Sequence, residues 1–189
     1  MMEYKLSEYS FIREIGRGAA GSVWLAKSTK DIYYAIKIVS KAEIGEDAYT
    51  REMRGISIYG RLPWSKGLIP VYDFWEDKIN SIFYCVMALA DDEQNGRNII
   101  PEIYRPKTLS SIILARVALP MNECISIANV LLSALEYLQY NHLVHRDIKP
   151  GNVLIINNEP VLTDFGLAID FRDANSIVGT PGYVPPENH

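Results

Sequence analysis

The hydrophobic pattern changes period near the middle of the chain, and that change limits the fold more than any other feature. Residues 11–15, 22–26, 33–39, 68–75 and 81–88 are β-branched or aromatic runs separated by glycine or charged turns, the signature of short strands. One helical stretch interrupts them: over Glu46–Tyr59, Tyr49, Met53 and Ile56 recur at i, i+4 and i+7. Residues 91–107 (DDEQNGRNIIPEIYRPK) are polar, carry Gly96, Pro101 and Pro106, and read as a hinge followed by a loop. Beyond it, Met121–Tyr140 places Cys124, Ala128, Leu131, Leu135 and Leu138 at helical spacing, with Pro120 at its start. Two short strands, Val153–Ile156 and 161–163, flank the turn Asn157-Asn158-Glu159-Pro160, and an irregular loop rich in Asp, Asn and Gly follows. The pattern predicts an α+β chain in two lobes: a strand-rich N-lobe over 1–90, a hinge and polar loop over 91–107, and a helix-rich C-lobe over 108–189. A cleft between two lobes is a common place for a small ligand.

Composition removes several function classes. With 189 residues, 48% apolar and 22% charged, the chain has the make-up of a folded domain, and disordered or collagen-like classes are excluded. No uncharged run reaches about 18 residues, so no membrane-spanning segment is expected within these residues. A net charge of −4 gives no broad positive field for a polyanion, so nucleic acid is not an expected partner. Cys85 and Cys124 have no second pair to complete a metal site and are expected as reduced core thiols. The first residues lack a charged-then-apolar secretory pattern, which points to the cytoplasm.

The chemistry-bearing residues fall in a fixed order. Gly16-Arg-Gly18-Ala-Ala-Gly21-Ser-Val23 fits G-x-G-x-x-G-x-V and lies between two predicted strands, whereas a dinucleotide fold needs a strand and then a helix. Glycines let backbone fold closely over phosphates, although a glycine-rich hairpin turn explains the run about as well. Lys37, in Ala35-Ile36-Lys37, is a lysine in an apolar strand, which an exposed edge strand would also accommodate. His145-Arg146-Asp147-Ile148-Lys149-Pro150-Gly151-Asn152 shifts that balance, because six fixed residues match by chance on the order of 10⁻⁸ times per start position. Asp164-Phe165-Gly166 comes twelve residues after Asn152, and Thr180 stands fourteen after Gly166 within the run 179–187 (GTPGYVPPE).

In this order and spacing, from Gly16 to Glu187, the sequence resembles the eukaryotic-type (Hanks-type) serine/threonine protein kinases. The wording of 179–187 looks most like bacterial members. The resemblance implies ATP and Mg2+ as cofactors and serine or threonine of a protein as acceptor. Phosphoryl transfer spreads negative charge over three oxygens, so such a site consists of cations, metal ligands and in-line positioning. The resemblance makes Asp164 the main Mg2+ ligand and Asn152 the second, both hard oxygen donors. Asp147 orients the acceptor hydroxyl and takes its proton, and Lys149 neutralises the moving phosphate. Lys37 holds the α and β phosphates and is itself held by a helical carboxylate; of Glu43, Glu46, Asp47 and Glu52, Glu52 is preferred because it lies inside the amphipathic helix, although a solvated helix-face glutamate is the alternative. Ile56, one turn later, is expected to pack toward Phe165 and His145, with His145 a packing residue rather than an acid or base. Gly16, Gly18 and Gly21 cover the nucleotide; Val23, Ala35 and Leu154 form the adenine slot, Met87 guards its back, and purine recognition uses main-chain groups out to Ala90. Ala88 stands where the family commonly has an acidic residue. Asp92 is a candidate ribose contact or a solvated loop aspartate.

Family domains usually run on beyond a residue equivalent to Glu187, so the resemblance describes an incomplete C-lobe, with apolar surface at Leu131, Leu135 and Leu138 incompletely covered. Two functions are open on the sequence: the front part of a serine/threonine kinase domain, or a non-catalytic nucleotide-binding regulatory fragment. Intact Lys37, Asp147, Asn152 and Asp164 favour the first. Ser176 is the only hydroxyl side chain between Gly166 and Gly179, and it is the expected loop phosphorylation site if a phosphate pairs with Arg146; Asp170 or Asp173 is the alternative charge. Thr180 is read as a structural hydroxyl bonding Asp147 and Lys149.

Overall fold

The computed structural model describes residues 7–170, 180 and 182–183. β1 (Tyr9–Gly18), β2 (Gly21–Ser28), β3 (Tyr33–Ser40), β4 (Val71–Asp77) and β5 (Ile82–Ala88) form an antiparallel five-stranded sheet in the order β1-β2-β3-β5-β4. β3 is therefore a central strand, which removes the edge-strand reading of Lys37. The pleat puts Ala35, Lys37 and Val39 on one face and Ile36 on the other. The first face is continuous with the main core, which includes Phe83, Cys85 and Met87 of β5; Ile36 joins Ala26, Tyr84 and Val86 on the outer face. The predicted run 68–75 becomes a strand only from Val71. Pro70 lacks the N–H that a ladder needs, and Leu68 and Ile69 are buried in the preceding loop.

A short helix α1 (Lys41–Ile44) leads through Gly45, at φ 82°, into α2 (Glu46–Tyr59). Glu46 and Asp47 favour the positive end of the α2 dipole. Tyr49, Glu52, Gly55, Ile56 and Tyr59 form its buried stripe and face the sheet and the turn at Phe165.

After the 91–107 segment comes α3 (Leu109–Arg116), which the sequence pattern did not announce. Thr108 caps it by accepting from the Ser111 amide at 2.9 Å, and the Ser111 hydroxyl oxygen in turn accepts from the Thr108 amide at 3.2 Å. α4 (Met121–Tyr140) follows, then β6 (Leu143–Val144), β7 (Val153–Ile156), β8 (Glu159–Leu162) and β9 (Ile169–Asp170). β7 and β8 form a hairpin whose turn is tighter than the predicted four residues: Asn157 and Asn158 alone make it, at φ 53° and 63°.

α4 departs from its predicted stripe. Among the described residues only Ala134 and Leu138 of this helix are fully buried, where its C-terminal half packs on β6, β8 and the loop at Gly67. Leu131 and Leu135 are half-buried, whereas Met121, Ile125 and Leu132 are exposed. Cys124 is exposed as well, so of the two expected core thiols only Cys85 lies in the core. Among the described residues no helix is long and apolar enough to cross a membrane.

Candidate active site

The β1–β2 hairpin forms one wall of a cavity of about 340 Å3. Gly21 sits at φ +111°, and a Cβ there would meet the Ile38 carbonyl oxygen at 2.3 Å, so only glycine lets the hairpin close onto β3. Gly18, by contrast, faces open space. Gly16, Gly18, Gly21, Val23 and Ala35 line the cavity from the sheet, and Leu154 of β7 lines it from the other lobe. Met87 and Ala90 line it where β5 runs into the hinge. β-sheet register explains the grouping: Ala35 pairs with both Leu25 and Met87, and Val23 pairs with Lys37.

At the polar end of the cavity Lys37, 8% exposed, donates to Glu52 at 2.7 Å and to Asp164 at 2.8 Å. Burial works against the charge of Lys37, but the carboxylates of Asp164 and Glu52 outweigh it and hold its pKa above the ordinary lysine value. For Glu52 burial is the larger influence and raises the pKa, with Lys37 opposing. Asp164 is lowered: burial alone would raise it, and the charge and hydrogen bond of Lys37 prevail. The close packing that makes this possible depends on two residues without side chains. A Cβ on Gly55 would lie 2.2 Å from the Phe165 carbonyl oxygen, and one on Gly166 would run into the Glu52 carboxylate.

Phe165 stacks on Tyr59 with ring centroids 3.5 Å apart and meets the edge of His145 at 5.0 Å. Ile56 belongs to the same core cluster. His145 is buried; its Nε2 contacts the Thr163 carbonyl at 2.9 Å while Nδ1 accepts from the Asp147 amide at 3.3 Å. That network assigns the proton to Nε2, and burial lowers the pKa of the ring, keeping it neutral.

Asp147 is held by three side chains. Lys149 donates to Oδ2 at 2.7 Å, Asn152 donates to the same oxygen at 2.9 Å, and the Thr180 hydroxyl donates to Oδ1 at 2.6 Å. Lys149 also donates to the Thr180 hydroxyl oxygen at 2.7 Å. Burial pushes the pKa of Asp147 up, but these donors outweigh it and keep the carboxyl below the usual aspartate value. The Asn152 amide nitrogen also reaches the Asp147 carbonyl at 2.8 Å, which turns its amide oxygen the other way. Asp164 meets Lys37 through Oδ1 and sits at φ 67°, a left-handed turn that sets the direction of its carboxylate. Asn152 and Asp164 both line the cavity, and one amide oxygen with one carboxylate oxygen is a donor set that suits a hard divalent cation keeping waters and phosphate oxygens as its other ligands.

One expectation at the hinge needs correction. Asp92 is neither a ribose contact nor a solvated loop residue: it is buried, Oδ1 accepts from the amides of Gln94 and Asn95 at 3.0 and 2.7 Å, and Oδ2 accepts from Arg105 at 2.8 Å. The 91–107 segment is a built loop, and it supplies Tyr104 and Pro106 to the cavity lining, residues without an expected function. A tyrosine inside a polar run is the one local signal for it. Arg146 lies near enough to Arg51 of α2 that burial and the second positive charge together lower its pKa. Ser176, Asp173, Gly179 and Glu187 lie outside the described residues, and of Asp170 only the backbone is described.

A glycine-roofed cavity between a five-stranded sheet and a helical lobe, closed at one end by a lysine shared between two carboxylates, is the architecture of the two-lobed protein kinases. Residues 9–188 match the family model described as protein kinase domain, and the chain belongs to that family. It is 33% identical over 190 residues to serine/threonine-protein kinase greatwall of Danio rerio, a match covering 96% of this chain and 20% of that protein. It is 29% identical over 186 residues to serine/threonine-protein kinase PrkC of Bacillus subtilis, covering 95% and 26%. Calcium-dependent protein kinase 4 of Plasmodium berghei is 28% identical over 193 residues, covering 95% and 33%. The chain thus spans a third or less of the length of these relatives, which come from a bacterium and from eukaryotes alike.

Proposed function

We propose that this chain is the front part of a serine/threonine protein kinase domain and contributes the machinery that transfers the γ-phosphoryl group of ATP to a hydroxyl of a protein. The observation that carries the proposal is the fixing of the Asp147 carboxylate by Lys149, Asn152 and Thr180, next to the cavity that holds the Lys37, Glu52 and Asp164 trio. A module that only bound nucleotide would need no oriented carboxylate beside the phosphate end.

The geometry supports a division of labour among these residues. Val23, Ala35, Met87 and Leu154 take the base between apolar surfaces, and the main chain at Ala90 gives it hydrogen bonds. Lys37, held by Glu52, binds the α and β phosphates under Gly16, Gly18 and Gly21. Asn152 and Asp164 would hold Mg2+, which when bound supplies positive charge against the phosphate oxygens. Asp147 accepts a hydrogen bond from the acceptor hydroxyl and aligns its oxygen with the γ phosphorus. As the new O–P bond forms, the bond to the β-phosphate oxygen breaks, ADP leaves, and the hydroxyl proton passes to Asp147. Donors from Lys149, Asn152 and Thr180 fix the direction of the Asp147 carboxylate, so its main contribution is alignment. Lys149 neutralises the moving phosphoryl group. The Lys149 and Thr180 pairing, together with the names of the relatives, supports serine or threonine as acceptor.

The test uses radiolabelled ATP, Mg2+ and a mixed peptide pool with the full-length protein that carries this chain. Phosphoserine and phosphothreonine are expected as products. Asp147→Asn should abolish transfer while the ATP dissociation constant stays within about threefold, because no ATP contact is assigned to that carboxylate. Phosphotyrosine as the sole product overturns the acceptor assignment, and undiminished transfer by Asp147→Asn overturns the mechanism.

A further inference from the structure

We propose that Arg13 is a positioning residue of the nucleotide cavity: from the strand that leads into the glycine-rich hairpin it clasps the 91–107 loop, and so sets how fast nucleotide enters and leaves. The inference rests on the nucleotide reading above and adds a residue to it.

The loop is fastened to the C-lobe. Its two ends are bonded to each other and to β7: the Lys107 amide donates to the Asp91 carbonyl at 2.8 Å, the Asp91 amide to the Ile155 carbonyl at 2.8 Å, and the Ile155 amide to the Lys107 carbonyl at 3.0 Å. The Asp91 carboxylate adds the amides of Asn157 and Asn158 at 3.0 and 2.8 Å. Within the loop the Asp92 carboxylate holds the Arg105 amide at 2.8 Å, and Tyr104, 1% exposed, donates through Oη to the Ala90 carbonyl at 3.1 Å. A loop bonded in this way to β7 and to itself moves with the C-lobe.

Its far side reaches the N-lobe. Residues 100–104 make one turn, in which the amides of Ile103 and Tyr104 donate to the Ile100 carbonyl at 3.2 and 2.9 Å. Arg13, half-buried on β1, meets two carbonyls of that turn: Nε donates to Pro101 at 2.7 Å and Nη2 donates to Tyr104, while Nη1 turns back to the Glu14 carbonyl at 3.2 Å. The planar guanidinium serves all three at once, and its charge strengthens each bond.

The place of the clasp gives it a consequence. Ile15 and Gly16, further along the same strand, line the cavity on one side, and Tyr104 and Pro106 line it on the other. For these walls to part, β1 must lift from the loop and both loop carbonyls must release the guanidinium. Arg13 itself is not a lining residue, so it acts on the walls and not on the nucleotide. Opening precedes entry and exit alike, so loss of the clasp speeds both by a similar factor and leaves the dissociation constant nearly unchanged.

Stopped-flow fluorescence with N-methylanthraniloyl-ADP, Mg2+ and the full-length protein that carries this chain measures both rates. Arg13→Met keeps the apolar stem and removes the donors. Association and dissociation should each rise by about tenfold or more, the scale of one hydrogen bond from a charged donor, with the dissociation constant within about threefold of wild type. Unchanged rates overturn the proposal even if the melting temperature falls, because a purely structural residue would move only the latter. Faster dissociation alone, with affinity weakened to match, overturns it too, since that marks a lost nucleotide contact. If Arg13→Met fails to fold, Arg13→Lys decides: an ammonium lacks the fork that serves both carbonyls, so both rates should still rise by about threefold or more, and wild-type rates overturn the proposal. Wild type binding neither the labelled ADP nor ATP overturns the nucleotide reading and this inference with it, whereas nucleotide binding with unchanged rates in Arg13→Met overturns this inference alone.

Discussion

Lys37→Met tests how the polar end of the cavity is held together. Lys37 and Glu52 are 8% and 5% exposed, so the substitution leaves two carboxylates with no cation between them in a poorly solvated place. Breaking a buried pair by removing one partner costs about 3–5 kcal/mol when the remaining charge stays. That is less than the ~5–15 kcal/mol by which a domain is stable, so the variant should still fold. The remaining charge has an escape. Burial already raises Glu52 with Lys37 in place, and Lys37 is the strongest influence opposing that rise. Without it, folded Glu52 takes up a proton more readily than the unfolded chain does. The contribution of Glu52 to stability in this variant should therefore be greatest in acid and fall as pH rises, from the ordinary glutamate pKa of about 4.3 through the raised folded value, by up to about 1.4 kcal/mol per pH unit. Urea unfolding followed by tryptophan fluorescence at about pH 5.5, 6.5 and 8 measures it: the gap to wild type should be about 3 kcal/mol or more at the alkaline end and should narrow on acidification. A gap that is absent, constant or wider in acid would refute the reasoning, because it would mean that Glu52 is not a buried carboxylate dependent on Lys37. Phosphoryl transfer by the full-length variant should be lost at every pH, since the phosphate contact is gone.

Gly55→Ala should lower stability by about 1–3 kcal/mol and weaken ATP binding, because the new Cβ would stand 2.2 Å from the Phe165 carbonyl and force α2, and Glu52 with it, away from Lys37. Unchanged melting temperature and ATP affinity would show that helix and turn are not in close contact. Thr180→Ala removes the hydroxyl that donates to Asp147 and accepts from Lys149. In the full-length protein kcat should fall by about 10- to 100-fold with little change in the KM for ATP, the scale of one hydrogen bond to a charged group; a kcat equal to wild type would remove Thr180 from the alignment of Asp147.

What could be read from the sequence, and what could not, divides along the distance between contacting residues. The bounds of α2 and α4 coincide with the predicted helices because periodicity and the flanking Gly45 and Pro120 are local signals. Lys37 and Glu52 could be suggested as partners because the amphipathic pattern places Glu52 within a helix that follows the lysine strand. That Lys37 lies on a central strand could not be read, since strand order depends on pairing partners and the pattern of one strand is the same at an edge or in the middle. The 91–107 segment shows the limit most clearly. Its composition announces an irregular loop, and irregular it is, but it is built by side chains bonding to backbone, with Asp92 spent on three amides and Tyr104 on one carbonyl. Such bonds have no period. The contact that holds it to the sheet joins Arg13 to Pro101, 88 residues apart, and its existence depends on how the β1–β2 hairpin is set over the hinge. No local pattern around either residue encodes that placement, and for this reason the wall of the nucleotide cavity opposite the glycine-rich hairpin became visible only once the two lobes were in position.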